Sequence, residues 1–289
     1  KRLLLYIYET KLITKQYFYQ EMLNNFNDSD YLQYFFIELS ELNQEEFQYR
    51  IHSYQLESFV EKESKNKELF IEQRKNGEND GKLSKMIRND LIDDFTSLVS
   101  QSNLDLNSKI EKSLFNPIYN DSNEPSLIEY AAYCGSHNIF KYLLMNDARI
   151  SKNIFWFAIH GRNYDIIHLI ENQQNIISDD FFIECYNEAI KCHFNEIAVY
   201  IEESFLKEKI PFSSIETCVR SFNIQMMTRI FENDEKVLIK QTDFNKFFFY
   251  LCEYGYIDIV DLILKQTKNG ILNEKDTEIS IYIILMIFN

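Results

Sequence analysis

One register repeats along the second half of the chain and constrains its fold more than any other feature. Gly135, Gly161, Cys192, Ser221 and Gly255 recur at intervals of roughly 30 residues, inside the period range of stacked repeats. The residue three before each of them is Ala132, Ala158, Ala189, Cys218 or Cys252, always small. The residue five after is Phe140, Ile166, Ile197, Met226 or Val260, and nine after it stands Leu144, Ile170, Ile201, Ile230 or Leu264. Both of these columns are apolar throughout. Positions five and nine differ by four and so share one helix face. The small column lies on a preceding helix that a neighbour can approach closely. Each unit is therefore predicted to be a helix pair.

The residues of the clearest unit carry a resemblance. Ser126-Leu127-Ile128-Glu129-Tyr130-Ala131-Ala132-Tyr133-Cys134-Gly135, continuing through Phe140 and Leu143-Leu144 to Ala148, resembles an ankyrin repeat, and Leu251 to Leu264 is similar. The segments around Arg74-Lys75-Asn76-Gly77, Met86-Ile87-Arg88-Asn89-Asp90, Ala158-Ile159-His160-Gly161 and Glu188-Ala189-Ile190-Lys191-Cys192-His193 resemble a divergent ankyrin-repeat family. That family is much expanded in some protists, and its shared domain has no assigned function. The resemblance implies an all-α, ankyrin-like solenoid, with Ala132, Ala158, Ala189, Gly135, Gly161 and Gly255 as structural repeat positions. Two departures bear on the fingers between units. No unit has the Thr-Pro that usually opens the first helix, and most fingers lack the glycine that a tight turn with φ > 0 favours. Degenerate or missing β-hairpin fingers are expected. Ser126-x-x-Glu129 and Ser213-x-x-Glu216 instead fit the capping box that starts a helix.

Composition agrees with helices. The chain has 289 residues, 45% hydrophobic and 15% aromatic, which is ample material for a core. Six Gly and three Pro are too few for the frequent turns of sandwiches and barrels. A formal charge of −15 opposes attraction to nucleic acid or an anionic lipid surface. The apolar start Leu3-Leu4-Leu5-Tyr6-Ile7 is ended by Glu9 with no small-residue cleavage site after it, so a buried helix is expected there rather than a signal peptide. The run from Ile279 to Phe288 is about half the ~20 residues that a membrane span needs. The chain begins with Lys1 and stops inside that run, which suits a fragment of a longer array. Five cysteines without Cys-x-x-Cys spacing suit a reducing compartment, with the cytoplasm expected.

Two regions are expected. Residues 1–81 form a helical region, either further degenerate repeats or a separate domain, with long helices starting near Ser29 and at Asn43 and ending in the Gly-containing linker 76–81. Residues 82–289 form the array, with a helix pair over 83–100 if Asp90 is its anchor and a long loop near 103–125.

No phosphate-cradling loop, His-Glu-x-x-His or nucleophile elbow is present. No catalytic residue, metal, cofactor or small-molecule substrate is expected. What remains is a surface: immediately before the anchors stand Cys134, His160, Lys191, Arg220 and Tyr254, a column whose chemistry changes from unit to unit. In ankyrin arrays the end of the first helix lines the concave face, so the resemblance implies that this column meets a partner protein. A non-catalytic protein-binding module or scaffold is the leading expectation. Two alternatives stand beside it: a helical metal- or substrate-binding enzyme using His160, His193 and nearby cysteines, and an architectural spacer whose ends make the contacts.

Overall fold

A computed structural model describes residues 1–24, 29–77, 81–111, 114–115, 124–172, 179–206, 210–232 and 241–261. Leu264 and the 279–288 run lie outside the described residues. Among the described residues the secondary structure is helical, with no strand longer than an isolated bridge residue and no helix long and apolar enough to cross a membrane. The contacts divide the chain into two units: Lys1–Met86 with Lys109–Pro125, and Ile87–Ser108 with Ser126–Asn289. The division falls inside a helix at Met86 and Ile87 rather than in the 76–81 segment, and 109–125 goes with the first unit.

The first unit contains α1 (Arg2–Glu9), α2 (Lys15–Asn24), α3 (Ser29–Tyr34), α4 (Phe36–Leu42), α5 (Gln44–Ser53), α6 (Glu57–Lys65) and α7 (Lys67–Asn76). These helices are shorter than the sequence pattern predicts, because the chain breaks at Phe35 and again at Asn66. Asn43 caps α5 as predicted, its side chain accepting from the Glu46 amide at 3.1 Å. Gly77, at φ 69, ends α7 in the left-handed conformation that glycine adopts at least cost. The core is aromatic: Tyr8 stacks on Phe18 at 4.0 Å and Phe36 meets Phe70 edge-on at 4.8 Å. Among the described side chains of α1 only Leu5 is buried, whereas Leu3 and Tyr6 are exposed. One ion pair is sealed in this core. Arg74 donates to both carboxylate oxygens of Glu38, at 2.8 and 2.7 Å, and to the Tyr34 carbonyl at 3.0 Å.

α8 (Lys82–Arg88) leads into the second unit, which continues through α9 (Ile92–Ser102), α10 (Leu127–Cys134), α11 (His137–Met145), α12 (Ile154–Gly161), α13 (Tyr164–Glu171), α14 (Asp179–Lys191), α15 (Asn195–Ser204), α16 (Phe212–Arg220), α17 (Ile224–Glu232) and α18 (Gln241–Glu253). From α10 onward the first helices pack on one another in sequence: α10 on α12, α12 on α14, α14 on α16 and α16 on α18. Ser126 forms the predicted capping box with Glu129. Ser213 does not, because α16 already starts at Phe212 after Pro211 and places Ser213 inside its first turn.

A single backbone device closes every pair. Asp90, Gly135, Arg162, His193, Phe222 and Gly255 all adopt positive φ, between 50° and 75°, one residue before the chain turns into the second helix. This corrects the register read from the sequence by one residue in the middle units. Gly161, Cys192 and Ser221 precede the turn residue there, whereas Gly135 and Gly255 are the turn residue. Gly161 serves another purpose: a Cβ on it would run into the Ala132 carbonyl oxygen and the Gly135 backbone, so its bareness lets α12 approach α10. Counted from the turn, the position four before is Ala131, Ala158, Ala189, Cys218 and Leu251, all fully buried. Four after it come Ile139, Ile166, Ile197 and Met226, and eight after it Leu143, Ile170, Ile201 and Ile230, all buried. At ~1.5–3 kcal/mol for each large apolar side chain, these columns are the main adhesive of the unit. The shift also explains Cys252, predicted in the small column but exposed: Leu251 occupies the buried position.

The residue after the turn ties each pair to the one before. Ser136 Oγ donates to the Ile87 carbonyl, Asn163 Nδ2 to that of Gly135 (3.0 Å), Asn223 Nδ2 to that of Ile190 (2.8 Å) and Tyr256 OH to that of Val219 (3.0 Å). Between α12 and α14 this position is Phe194, whose ring lies under the Arg162 guanidinium at 4.7 Å.

Candidate functional face and side-chain cluster

The polar column predicted from the sequence lies at the ends of the first helices, but the register correction splits it. His160, Lys191 and Arg220 stand two residues before their turn residues, whereas Cys134 and Tyr254 stand one before theirs. One residue is about 100° of helix rotation. The true companions of His160, Lys191 and Arg220 are therefore Tyr133 and Glu253.

His160 is the best surrounded of the five. Its ring stacks on Tyr133 at 5.3 Å and 26°, touches Trp156 at 4.4 Å and meets Phe194 edge-on at 6.3 Å. Its Nε2 is shielded from solvent, makes no well-aligned hydrogen bond and lies 3.3 Å from Glu188 Oε1. Glu188 gathers the other members of the cluster. Lys191 Nζ reaches its Oε2 at 3.2 Å, and Cys192 Sγ donates to Oε1 at 3.6 Å. The His160 ring first, and then the Lys191 ammonium, hold the Glu188 carboxyl down to about 2 in spite of its partial burial. Burial and the Glu188 charge push the Cys192 thiol up to about 11, so it is protonated at neutral pH. Burial likewise raises the Tyr133 phenol to about 12.

Arg220 sits apart from that cluster. It pairs with Glu216 at 2.6 Å, and its guanidinium lies 5.0 Å from the Tyr250 ring and 6.0 Å from that of Tyr254. Cys134 is partly buried, and desolvation pushes its thiol up to about 11. His193, paired with His160 in one sequence alternative, points elsewhere. Its ring nitrogen lies 2.8 Å from the Ser221 carbonyl oxygen, and it lines a separate cleft of about 360 Å³ with Arg162, Tyr164 and Phe194. His168 is on α13 beyond the turn and pairs with Glu171 at 3.0 Å.

Sequence reasoning passed over Glu188, Trp156 and Tyr133. A signal existed for Glu188, four residues before Cys192 and hence on the same helix face. Trp156 is the single tryptophan of the chain and stands four before His160. Comparison with protein-family models, with curated proteins and with solved structures returns no match.

Proposed function

We propose that the second unit is an ankyrin-type array of helix pairs that binds another protein and carries no chemistry of its own. The observation that carries this reading is a pair of aromatic clusters on the first helices: Tyr133, Trp156 and His160 on α10 and α12 in ring contact, and Arg220, Tyr250 and Tyr254 on or just after α16 and α18 in cation–π contact. Tyr, Trp and Arg dominate the binding energy of protein interfaces because they bury large area at small entropic cost and keep a polar handle. The repeated turn, the buried columns beside it and the stacking of first helix on first helix support the array. Ankyrin-type kinship rests on the residue resemblances and the helix-pair register. The −15 charge favours basic partners.

The test compares capture from lysate by the wild-type chain and by a Lys191→Glu, Arg220→Glu variant with an unchanged circular dichroism spectrum. Each captured protein is then purified and titrated directly. Partners whose affinity falls ~10-fold or more in the variant support the face. Partners that bind both chains equally move the contact away from these helix ends.

A further inference from the structure

We propose that His160, Glu188 and Cys192 form a binding site for one divalent cation of the zinc class. The inference stands apart from the protein-binding reading and rests on geometry. One nitrogen, one carboxylate oxygen and one sulfur lie within 4.8 Å of one another. Glu188 Oε1 is 3.3 Å from His160 Nε2 and 3.6 Å from Cys192 Sγ. A tetrahedral ion with bonds of ~2.0–2.1 Å to nitrogen and oxygen and ~2.3 Å to sulfur has ligand edges of ~3.3–3.6 Å. Two edges of the triangle thus already have the required length.

The donors come from two packed helices and are chemically selective. Glu188 and Cys192 are four apart along the α14 face, while His160 comes from the end of α12 with its ring fixed between Tyr133 and Trp156. The buried Nε2 has no well-aligned hydrogen bond to lose. Lys191 occupies Oε2 and leaves Oε1 facing the other two donors. An imidazole and a thiolate suit zinc, cobalt or nickel and disfavour magnesium and calcium. Three protein ligands leave the fourth tetrahedral position to water. As the metal–sulfur bond forms, the Cys192 proton passes to solvent, so binding strengthens with rising pH. The site falls at the α12–α14 junction, where Phe194 replaces the polar side chain that ties the other first helices together.

Cobalt(II) titration of the purified full chain tests this. The wild-type chain is expected to take up one Co²⁺ with tetrahedral visible bands and a near-ultraviolet thiolate band, both abolished by Zn²⁺. Cys134→Ser should behave identically. Cys192→Ser should lose the thiolate band, and His160→Gln should weaken binding by ~10-fold or more, at least the loss that removal of an outer-shell partner causes. A wild-type chain without the thiolate band, or a Cys192→Ser chain that keeps it, overturns the proposal. Alkylation mapping of the unsubstituted chain is a second readout that needs no variant to fold. Zn²⁺ should slow modification of Cys192 and leave the exposed Cys252 unaffected; equal rates at Cys192 with and without Zn²⁺ overturn the site.

Discussion

Gly161 and Gly255 occupy matching places in the sequence register, yet substitution should affect them unequally. A Cβ on Gly161 meets the backbone of α10, whereas no described residue lies within 4 Å of one on Gly255, where the demand that stands out is its φ of 75°. Gly161→Ala is expected to cost ~1–3 kcal/mol by forcing two backbones apart, and Gly255→Ala about 1 kcal/mol from the left-handed conformation alone. Urea denaturation of the two variants checks the order, and equal losses would mean that α10 and α12 separate freely. Glu188 makes a pH-dependent contribution. Its carboxyl is held at about 2 in the folded chain against an ordinary value of 4.5. The stability it adds is therefore fully present above the ordinary value and lost as pH falls through about 2. The gap in denaturation midpoint between wild type and Glu188→Gln should be constant at neutral pH and shrink steadily across that acidic window. A gap that does not change there would show that the carboxylate gains nothing from His160 and Lys191.

Among elements, the α4–α7 contact depends most on a single pair. Glu38 and Arg74 are buried together, and Arg74 also lies against the Tyr34 and Phe70 rings. Glu38→Ala leaves a guanidinium charge without its counter-ion and is expected to cost ~3–5 kcal/mol. A double substitution of Glu38 and Arg74 by apolar residues should recover much of that loss, and equal instability of the single and double variants would contradict the desolvation account. This pair was invisible in the sequence, since 36 residues separate its members and no local period links them. The starts of α5 and α10 were legible because Asn43 and Ser126 act on amides three residues away. Helix pairing in the second unit was legible too, from apolar positions four apart. The turn register was not. Glycine is the sequence mark of positive φ, and Arg162, His193 and Phe222 adopt it without being glycine. Anchoring on Gly161 then displaced the middle units by one residue, which hid Tyr133 as the partner of His160.

At the scale of the whole molecule, each helix pair of the second unit touches chiefly its neighbours along the chain. Disturbance should therefore fade with distance. Hydrogen exchange on Gly161→Ala is expected to show the greatest loss of protection in α10 and α12, less in α14 and least in α16. An even loss across all four would mean that the pairs open as one block. The candidate cluster was only partly legible at this scale: His160 and Cys192 were each noticed, but only the packing of α12 on α14 brings them to one carboxylate. The recurrent turn has a further consequence. Asp, Arg, His, Phe and Gly all serve at one backbone position, so its conformation is imposed by the helices on either side and its identity carries almost no information. Helix pairs that share this turn can therefore differ letter by letter at their own punctuation while the sentence still parses. What they have in common is held in dihedral angles and not in the alphabet.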